Sequence, residues 1–461
     1  SSSSSGNSYG IYIASSTEQM NLTNNGKITA TSTGSTGEVA GVRVENAFNG
    51  ILTNNGEITS SIATNSDNGI FLVGSSSGTL TNNGKIIGSG AGVAIAGSMS
   101  EDSELINNGI IAGTNGIYLA NATDSSIANT GIIYGKAYAI TIDNELKNLY
   151  NYGLLVTSGD KVIGGKGTVT TPNNYGLAFK VEELGKYSAE SDDFAKFGTI
   201  SGDDKYTVIN AKAIGESATE IEGTDSITLK DGSFLYLNSD GDEQTERISS
   251  DKKYVLNGIT DTLKVSGWYN KLNDSIVNAY ETAVVMGEDK SMLTLDNTIV
   301  NGGMKEDTTA VNITGTGNEF IAKGNSVINT KADGVAITVG GNNNAVVLEG
   351  NAIVNGKMEA KGNGNILDLD GTGKYGMNMH YDISGFEKMA IDNNVTFFED
   401  MKVTGTDKVT VEKSGVLSLR LKKDGDLSPA AIASSTSIST ATHAFSGTDG
   451  MIIKGNSPEE T

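Results

Sequence analysis

One seven-residue phrase recurs through the first third of the chain and constrains its fold more than any other feature. It reads Leu22-Thr-Asn-Asn-Gly-Lys-Ile28, and returns as Leu52-Thr-Asn-Asn-Gly-Glu-Ile58 and Leu80-Thr-Asn-Asn-Gly-Lys-Ile86. It persists as Leu105-Ile-Asn-Asn-Gly-Ile-Ile111, then loosens through Ile127-Ala-Asn-Thr-Gly-Ile-Ile133 to Leu149-Tyr-Asn-Tyr-Gly-Leu-Leu155. The glycines stand at 26, 56, 84, 109, 131 and 153, so the spacing shrinks from 30 to 22 residues. Self-similarity at such a period is the mark of a solenoid. A second line sits between the copies: Gly10-Ile-Tyr-Ile13, Gly41-Val-Arg-Val44, Gly69-Ile-Phe-Leu72, Gly92-Val-Ala-Ile95 and Gly116-Ile-Tyr-Leu119. Each period thus holds two or three short alternating strands, and no window sustains the 3.6 period of a helical repeat.

Strands this short cannot bury an apolar face alone, but stacked coils about 4.8 Å apart form parallel sheets along an axis. The fold expected is therefore all-β: a right-handed parallel β-helix (β-solenoid), a single elongated domain with irregular coils in its middle. Leu22, Leu52, Leu80 and Leu105 form one interior row and Ile28, Ile58, Ile86 and Ile111 another. Asn-Gly supplies a corner that tolerates the left-handed backbone. Asn25, Asn55, Asn83 and Asn108 are placed to bond coil to coil as an amide ladder. At 22–25 residues per coil the chain makes somewhat under twenty coils, roughly 70–90 Å of helix. The competing use of Asn-Gly is a hairpin turn in an antiparallel sandwich. Hairpins, however, do not require identity between successive 25-residue periods.

Three segments are expected. Residues 1–171 are regular coils, with eight charged side chains in the first hundred residues. Residues 172–265 are irregular acidic coils or a small projecting lobe; positions 181–250 carry 16 acidic against 6 basic side chains. Residues 266–461 resume the repeat at Leu293-Thr-Leu-Asp-Asn-Thr-Ile-Val300, with Asn297, Asn325 and Asn351 in phase. The last forty residues, rich in Ser, Thr, Ala and Gly, read as a coil whose neighbours are missing.

Net charge and residue usage exclude several functions. A charge of −22 with only three arginines (Arg43, Arg247, Arg420) argues against nucleic acid and against bidentate guanidinium sites. The absence of cysteine suits export through an oxidising compartment. No apolar run reaches the length of a membrane helix and no signal peptide opens the chain, so it reads as a fragment of a larger protein.

The Leu-x-Asn-Asn-Gly-x-Ile coils resemble the passenger domains of type V (classical) autotransporters, outer-membrane proteins of Gram-negative bacteria. Tyr254-Val-Leu-Asn-Gly-Ile-Thr-Asp-Thr-Leu-Lys-Val265 and Asn273-Asp-Ser-Ile-Val-Asn-Ala-Tyr-Glu-Thr-Ala-Val-Val285 resemble the large fusobacterial adhesins of that class, the RadD-like group. Ile383-Ser-Gly-Phe-Glu-Lys-Met-Ala-Ile391, followed by Val403-Thr-Gly, Val409-Thr-Val and Gly415-Val-Leu-Ser-Leu-Arg-Leu421, looks like the coils that precede a translocator barrel. The resemblance implies a monomeric passenger at the cell surface, its parent anchored in the outer membrane by a C-terminal barrel this sequence lacks. It implies attachment to host cells or other bacteria through a protein or glycan receptor. It does not specify the receptor, and passengers of this class also include proteases and cytotoxins.

Parallel β-helices also carry polysaccharide lyases and hydrolases, so catalytic candidates were weighed. Asp368 and Asp370 point to one side of a strand and are the most suggestive carboxylate pair, with turn capping the plainer role. A serine protease would need His380 or His443 as base, but no Gly-x-Ser-x-Gly surrounds a serine here. Gly164-Gly-Lys-Gly-Thr168 lacks the spacing of a phosphate loop, and Asp240-Gly-Asp242 lacks the nonapeptide repeat of calcium-binding solenoids. Trp268-Tyr269 is either an exposed anchor or, the plainer reading, core packing at an irregular coil. The expectation is an adhesin and not an enzyme, with no cofactor, no metal and no assigned catalytic or binding residue. A carbohydrate-active enzyme is the alternative.

Overall fold

The computed structural model describes residues 2–3, 6–14, 19–32, 37–62, 67–101, 103–180, 206–211, 226–239, 242–248, 252–398, 401–412, 414–420, 437–439, 442–445 and 450–454. Among these, every regular element is a strand, and the chain winds a parallel β-solenoid of about 13 turns. It divides into two compact units, Ser1–Gly202 and Asp203–Thr461. The turns are fewer than a 22–25-residue coil gave because the early coils are longer, with Leu22 stacked on Leu52 and Leu52 on Leu80.

In the first unit each turn holds three strands. Met20–Asn24, Lys27–Ser32 and Val39–Val44 are followed by Gly50–Asn54, Glu57–Ile62 and Asn68–Leu72, then by Thr79–Asn82, Lys85–Gly88 and Ala91–Ser98. Every strand pairs in parallel with its equivalent one coil on. The register stacks like on like: Leu22, Leu52, Leu80, Leu105, Ile127 and Leu149 in one file. Ile28, Ile58, Ile86, Ile111, Ile133 and Leu155 form a second. The third is Ile11, Val42, Ile70, Val93, Ile117 and Ile140. From the second coil onward these side chains are at most 3% exposed. A flat three-residue strand acquires a core only through this coincidence of register.

The corners are built differently from the expectation. Gly26, Gly56, Gly84, Gly109, Gly131 and Gly153 are not in the left-handed region. Glycine is needed there for close approach: a Cβ on Gly56, Gly84 or Gly109 would lie 2.0 Å from the carbonyl oxygen of the glycine one coil earlier. The left-handed corner does occur, in the second unit, where Asp274, Asn297, Gly324 and Gly350 have φ of 44°, 49°, 65° and 72°.

Two amide ladders run along the first unit. The expected one is present: Asn55, Asn83 and Asn108 each donate Nδ2–H to the Oδ1 one coil back at 2.8 Å, and the Thr130 hydroxyl donates to Asn108 at 2.7 Å. A second, deeper ladder uses the preceding asparagine and is longer. Asn24, Asn54, Asn82, Asn107, Asn129 and Asn151 donate forward to the next Oδ1 at 2.7–2.8 Å, ending on Asn174. From Asn54 to Asn151 these residues are 0% exposed. Asn54 Nδ2 also donates to the carbonyls of Gly56 and Lys85 at 3.1 Å each, and Asn82 repeats the pattern with Gly84 and Ile110. Each buried amide thereby finds partners for its donors and its acceptor, as burial demands. The two ladders point their donors in opposite directions along the stack.

The second unit uses the same logic with other residues. Leu293, Phe320, Val346, Leu367, Met389 and Val409 form one interior file, and Val284, Val311, Ile337, Met358, Ile383 and Val403 another. Its buried ladder runs from Asn355 through Asn329, Asn301, Asn278 and Asn257 to Asn210 at 2.8–3.0 Å. Asn297, Asn325 and Asn351 do interact in phase, through the Asn325 N–H and the Asn351 amide. Within the span read as irregular, Lys253–Gly258 and Asp261–Ser266 already lie in parallel register with the coils that follow. Before them, Phe234–Ser239 and Asp242–Arg247 form an antiparallel hairpin laid against Ser226–Lys230. The acidic stretch 187–194 lies outside the described residues.

In the last forty residues Ser437–Ser439 stacks in parallel on Lys408–Val411, as a coil does. Gly450–Lys454 runs antiparallel to both Val416–Arg420 and Thr442–Phe445, pairing the backbone of a strand that would otherwise offer an open edge.

The corner geometry makes a differential prediction. Gly84→Ala must push apart two backbones and lowers the unfolding free energy by about 2–3 kcal/mol. Gly26→Ala, whose nearest neighbour is the Asn24 Oδ1 at 4.0 Å, is close to neutral. Urea unfolding of both variants beside the parent measures the difference, and equal losses would refute the close-approach explanation.

Candidate functional site

Two places on the second unit depart from plain coil geometry. The first is the turn between Asp261–Ser266 and Asn270–Asn273 that carries Trp268 and Tyr269. Packing into the core was the plainer expectation, and the structure overturns it: Trp268 is 44% and Tyr269 79% exposed. The cause is backbone conformation. Tyr269 sits at φ 64°, where L-residues rarely rest, and Gly267 at φ 78°. Such strain persists only where surroundings overdetermine it.

Here they do. Asn270, 1% exposed, donates its amide to the Ser266 and Gly267 carbonyls at 2.9 and 3.0 Å. Its Oδ1 accepts the Ser233 N–H at 3.1 Å. The Ser233 hydroxyl donates to the Tyr269 carbonyl at 3.3 Å and accepts from the Lys271 N–H at 2.7 Å. The Gly232 N–H donates to the Trp268 carbonyl at 2.9 Å. The residues that pin the turn, Gly232 and Ser233, are the hinge of the strand that starts at Phe234. That strand adds a half-exposed Phe234 with the Arg247 guanidinium 5.7 Å from its ring, and Tyr236 with the Lys230 ammonium at 4.7 Å. The exposed Trp268 and Tyr269 are thus held by bonds from Gly232 and Ser233, and the strand that follows those two residues carries two further rings with cations beside them.

The second place is the outward face of Ala345–Glu349, Ile366–Gly371 and Lys388–Phe397. Register puts Glu349, Asp370 and Asp392 in one file, continued by Glu412 just past the last paired residue, Val411. Asp368 lies in the adjacent file between Val347 and Ala390. Apolar neighbours on both sides strip its water, so burial first, then the charges of Asp392 and Asp370, push its carboxyl up to about 6. Asp392 is raised as well, by burial and then by Glu412. Asp370 accepts the side-chain amide of Asn393, a corner residue of the next coil at φ 55°, at 2.7 Å.

His380 stacks on Phe398 at 4.1 Å. Of His443 only the backbone pairing with Ile453 is described. Gly164 lies beneath the Tyr138 ring and Gly167 against the Asn144 carbonyl, so this glycine run answers to coil packing. Asp240 lies outside the described residues. Among the described residues no three His, Asp or Glu side chains are grouped to hold a metal ion.

No protein-family model and no curated protein matches this chain. The site must be read from its own geometry.

Sequence reading missed two features. The hydrogen bonds that expose Tyr269 come from Ser233, 36 residues earlier, and no local signal announces them. The desolvation of Asp368 was partly legible, because Val347 occupies the matching place in the preceding repeat, Val346-Val-Leu-Glu349.

The sign of the Asp368 shift sets a pH dependence. Its native pKa lies above the ordinary carboxylate value, so between about pH 4 and 6 the folded protein holds a proton that the unfolded chain has released. That contribution to stability is full below this window and is lost as pH rises through about 6. Asp368→Asn is therefore expected to raise the thermal midpoint at pH 7 and to flatten its dependence between pH 5 and 7. A lowered midpoint at pH 7 contradicts the assignment.

Proposed function

We propose that the chain is the passenger part of a bacterial cell-surface adhesin, of the autotransporter kind its sequence resembles, displayed outside the outer membrane to bind a receptor on host cells or other bacteria. The observation that carries this reading is the Trp268–Tyr269 turn. Large aromatic side chains held in solvent by buried hydrogen bonds lose little freedom on binding, and such anchors dominate interface energies. A solenoid suits this task because its core files are independent of its outward files, so the surface can vary without cost to the fold. The residues behind the resemblance fit the same picture: Ile383, Phe386, Met389 and Ile391 are all core positions, 0–1% exposed. They speak for a shared way of folding, while the receptor is read on the outside.

A second reading, a carbohydrate-active enzyme, has one observation in its favour. A carboxyl raised to about 6 on a face that also carries Asp370 and Asp392 is the kind of group a glycosidase uses as its acid. Release of reducing ends from bacterial or host polysaccharides, abolished by Asp368→Asn, supports the enzyme.

The adhesin reading is tested by cell and glycan-array binding of the purified chain and of a Trp268→Ala/Tyr269→Ala double variant. Each ring is expected to contribute about 1–2 kcal/mol, so the double variant binds roughly 30- to 1,000-fold more weakly with unchanged circular dichroism and thermal midpoint. Binding equal to that of the parent removes the turn from the site and the main support for the proposal.

A further inference from the structure

The hairpin that extends the sheet of the second unit presents an outward face whose charge opposes that of the whole chain. Residues paired across neighbouring strands project to the same side. Phe234 is paired with Lys230 on one side and Arg247 on the other, and Lys230 with Ser266 beyond. Two residues along the strands, Tyr236 is paired with Thr228 and Thr245, and Thr228 with Lys264. Between these rows Leu235, Leu229 and Val265 turn inward and are at most 2% exposed, so both rows belong to the outward face. The chain carries 55 acidic against 33 basic side chains, yet these rows hold Lys230, Arg247 and Lys264 and no carboxylate.

Among the described residues these cations are also little committed. Elsewhere Arg43, Lys271 and Lys305 are taken up by carboxylates. Lys230 and Arg247 instead stand beside rings, Tyr236 at 4.7 Å and Phe234 at 5.7 Å, and Lys264 lies 4.0 Å from Asp261. A cation beside a ring keeps N–H groups for an anion from outside. The neighbouring acids are occupied: Glu246 alternates to the opposite side with Leu235 and binds Lys252 at 2.7 Å, and the Asp231 carboxylate lies against Gly267.

Lys230 and Arg247 flank Phe234 across two strand spacings, about 10 Å between backbones. Cations at that interval, with rings among them, complement a linear polysaccharide that carries an acid group on alternate sugars. The C–H faces of such sugars rest on rings while their carboxylates meet the cations. A densely charged polyanion such as nucleic acid is repelled by the net charge of −22. An acidic peptide would bind by adding a strand at the outer edge of the hairpin, Asp242–Arg247, whose own Asp242, Glu243 and Glu246 oppose it.

We propose that this face binds an acidic cell-surface polysaccharide bearing carboxylates on alternate sugars. Trp268 and Tyr269, which follow Ser266 after a single glycine, add aromatic contact at the border of the face. The inference rests on the adhesin reading for its biological role and names the chemistry of the receptor.

The test measures binding of the purified chain to immobilised hyaluronan, to hyaluronan whose carboxylates have been reduced to alcohols, and to polyglutamate. Binding is expected to hyaluronan alone and to weaken as salt is raised. The Lys230→Gln/Arg247→Gln variant binds about tenfold more weakly with an unchanged thermal midpoint. Lys230→Arg/Arg247→Lys, which keeps both charges, retains most of the affinity. Four outcomes overturn the proposal: no binding to hyaluronan, equal binding to its reduced form, equal binding to polyglutamate, or equal losses in the two double variants. Cell attachment separates this inference from the adhesin reading. Attachment that survives removal of the cells' uronate polysaccharides by a lyase refutes the polysaccharide and leaves the adhesin standing. Hyaluronan binding by a chain that attaches to no cell supports the polysaccharide site and removes the adhesin.

Discussion

Stacking in register is the constraint on which the rest of this molecule depends, and the corner is where it is enforced. An interior file such as Leu52, Leu80 and Leu105 is apolar and nearly interchangeable with the Ile58, Ile86 and Ile111 file, so apolar contact alone would permit a coil to slip. The asparagine amides do not permit it. A slip of one residue would leave the Nδ2 of Asn82, fully buried, without the Oδ1 of Asn107 and the carbonyl of Ile110 in the next coil. Leaving such donors unmade in the interior costs about 1–3 kcal/mol each, against a few tenths for a displaced methyl contact. Apolar files supply the stabilisation, and amide files decide which arrangement receives it.

The opposed donor directions of the two ladders follow from their surroundings. The inner amide must also satisfy two backbone carbonyls, which fixes its Nδ2 toward the next coil. The outer amide points back, donating to the Oδ1 of the preceding coil. In the second unit the corner is made with left-handed residues, and the neighbouring contacts change from amide–amide to backbone N–H on Oδ1, as between Asn318 and Asn344 and between Asn344 and Asn365. One chain thus contains two solutions to the problem of turning a strand through a buried corner.

Much of this was legible in the repeat, because a periodic sequence states its own register: the glycines of six copies identify which residues must face one another. The inner ladder is legible in the same repeat. Asparagine persists at 129 and 151, where the outer position has already drifted to Thr130 and Tyr152, and persistence under drift marks the position with less freedom. The reason for the corner glycines was not legible. Glycine serves both a left-handed backbone and a close backbone approach, and the sequence is the same for both. Only the 2.0 Å gap between the Gly84 Cβ position and the Gly56 carbonyl separates them. The candidate site was harder still, since the posture of Tyr269 is set by Ser233 from another strand.

This division between what repeats and what does not separates the core of the coils from their outward files. In the file Thr23, Thr53, Thr81, Ile106, Ala128 and Tyr150, side chains from hydroxyl to phenol follow one another over an unchanged core. The inward neighbours in the same strands stay leucine or isoleucine throughout. An outward file is therefore free to become a recognition surface by single substitutions. A turn becomes an anchor only where additional bonds hold it, as Asn270 and Ser233 hold Trp268 and Tyr269.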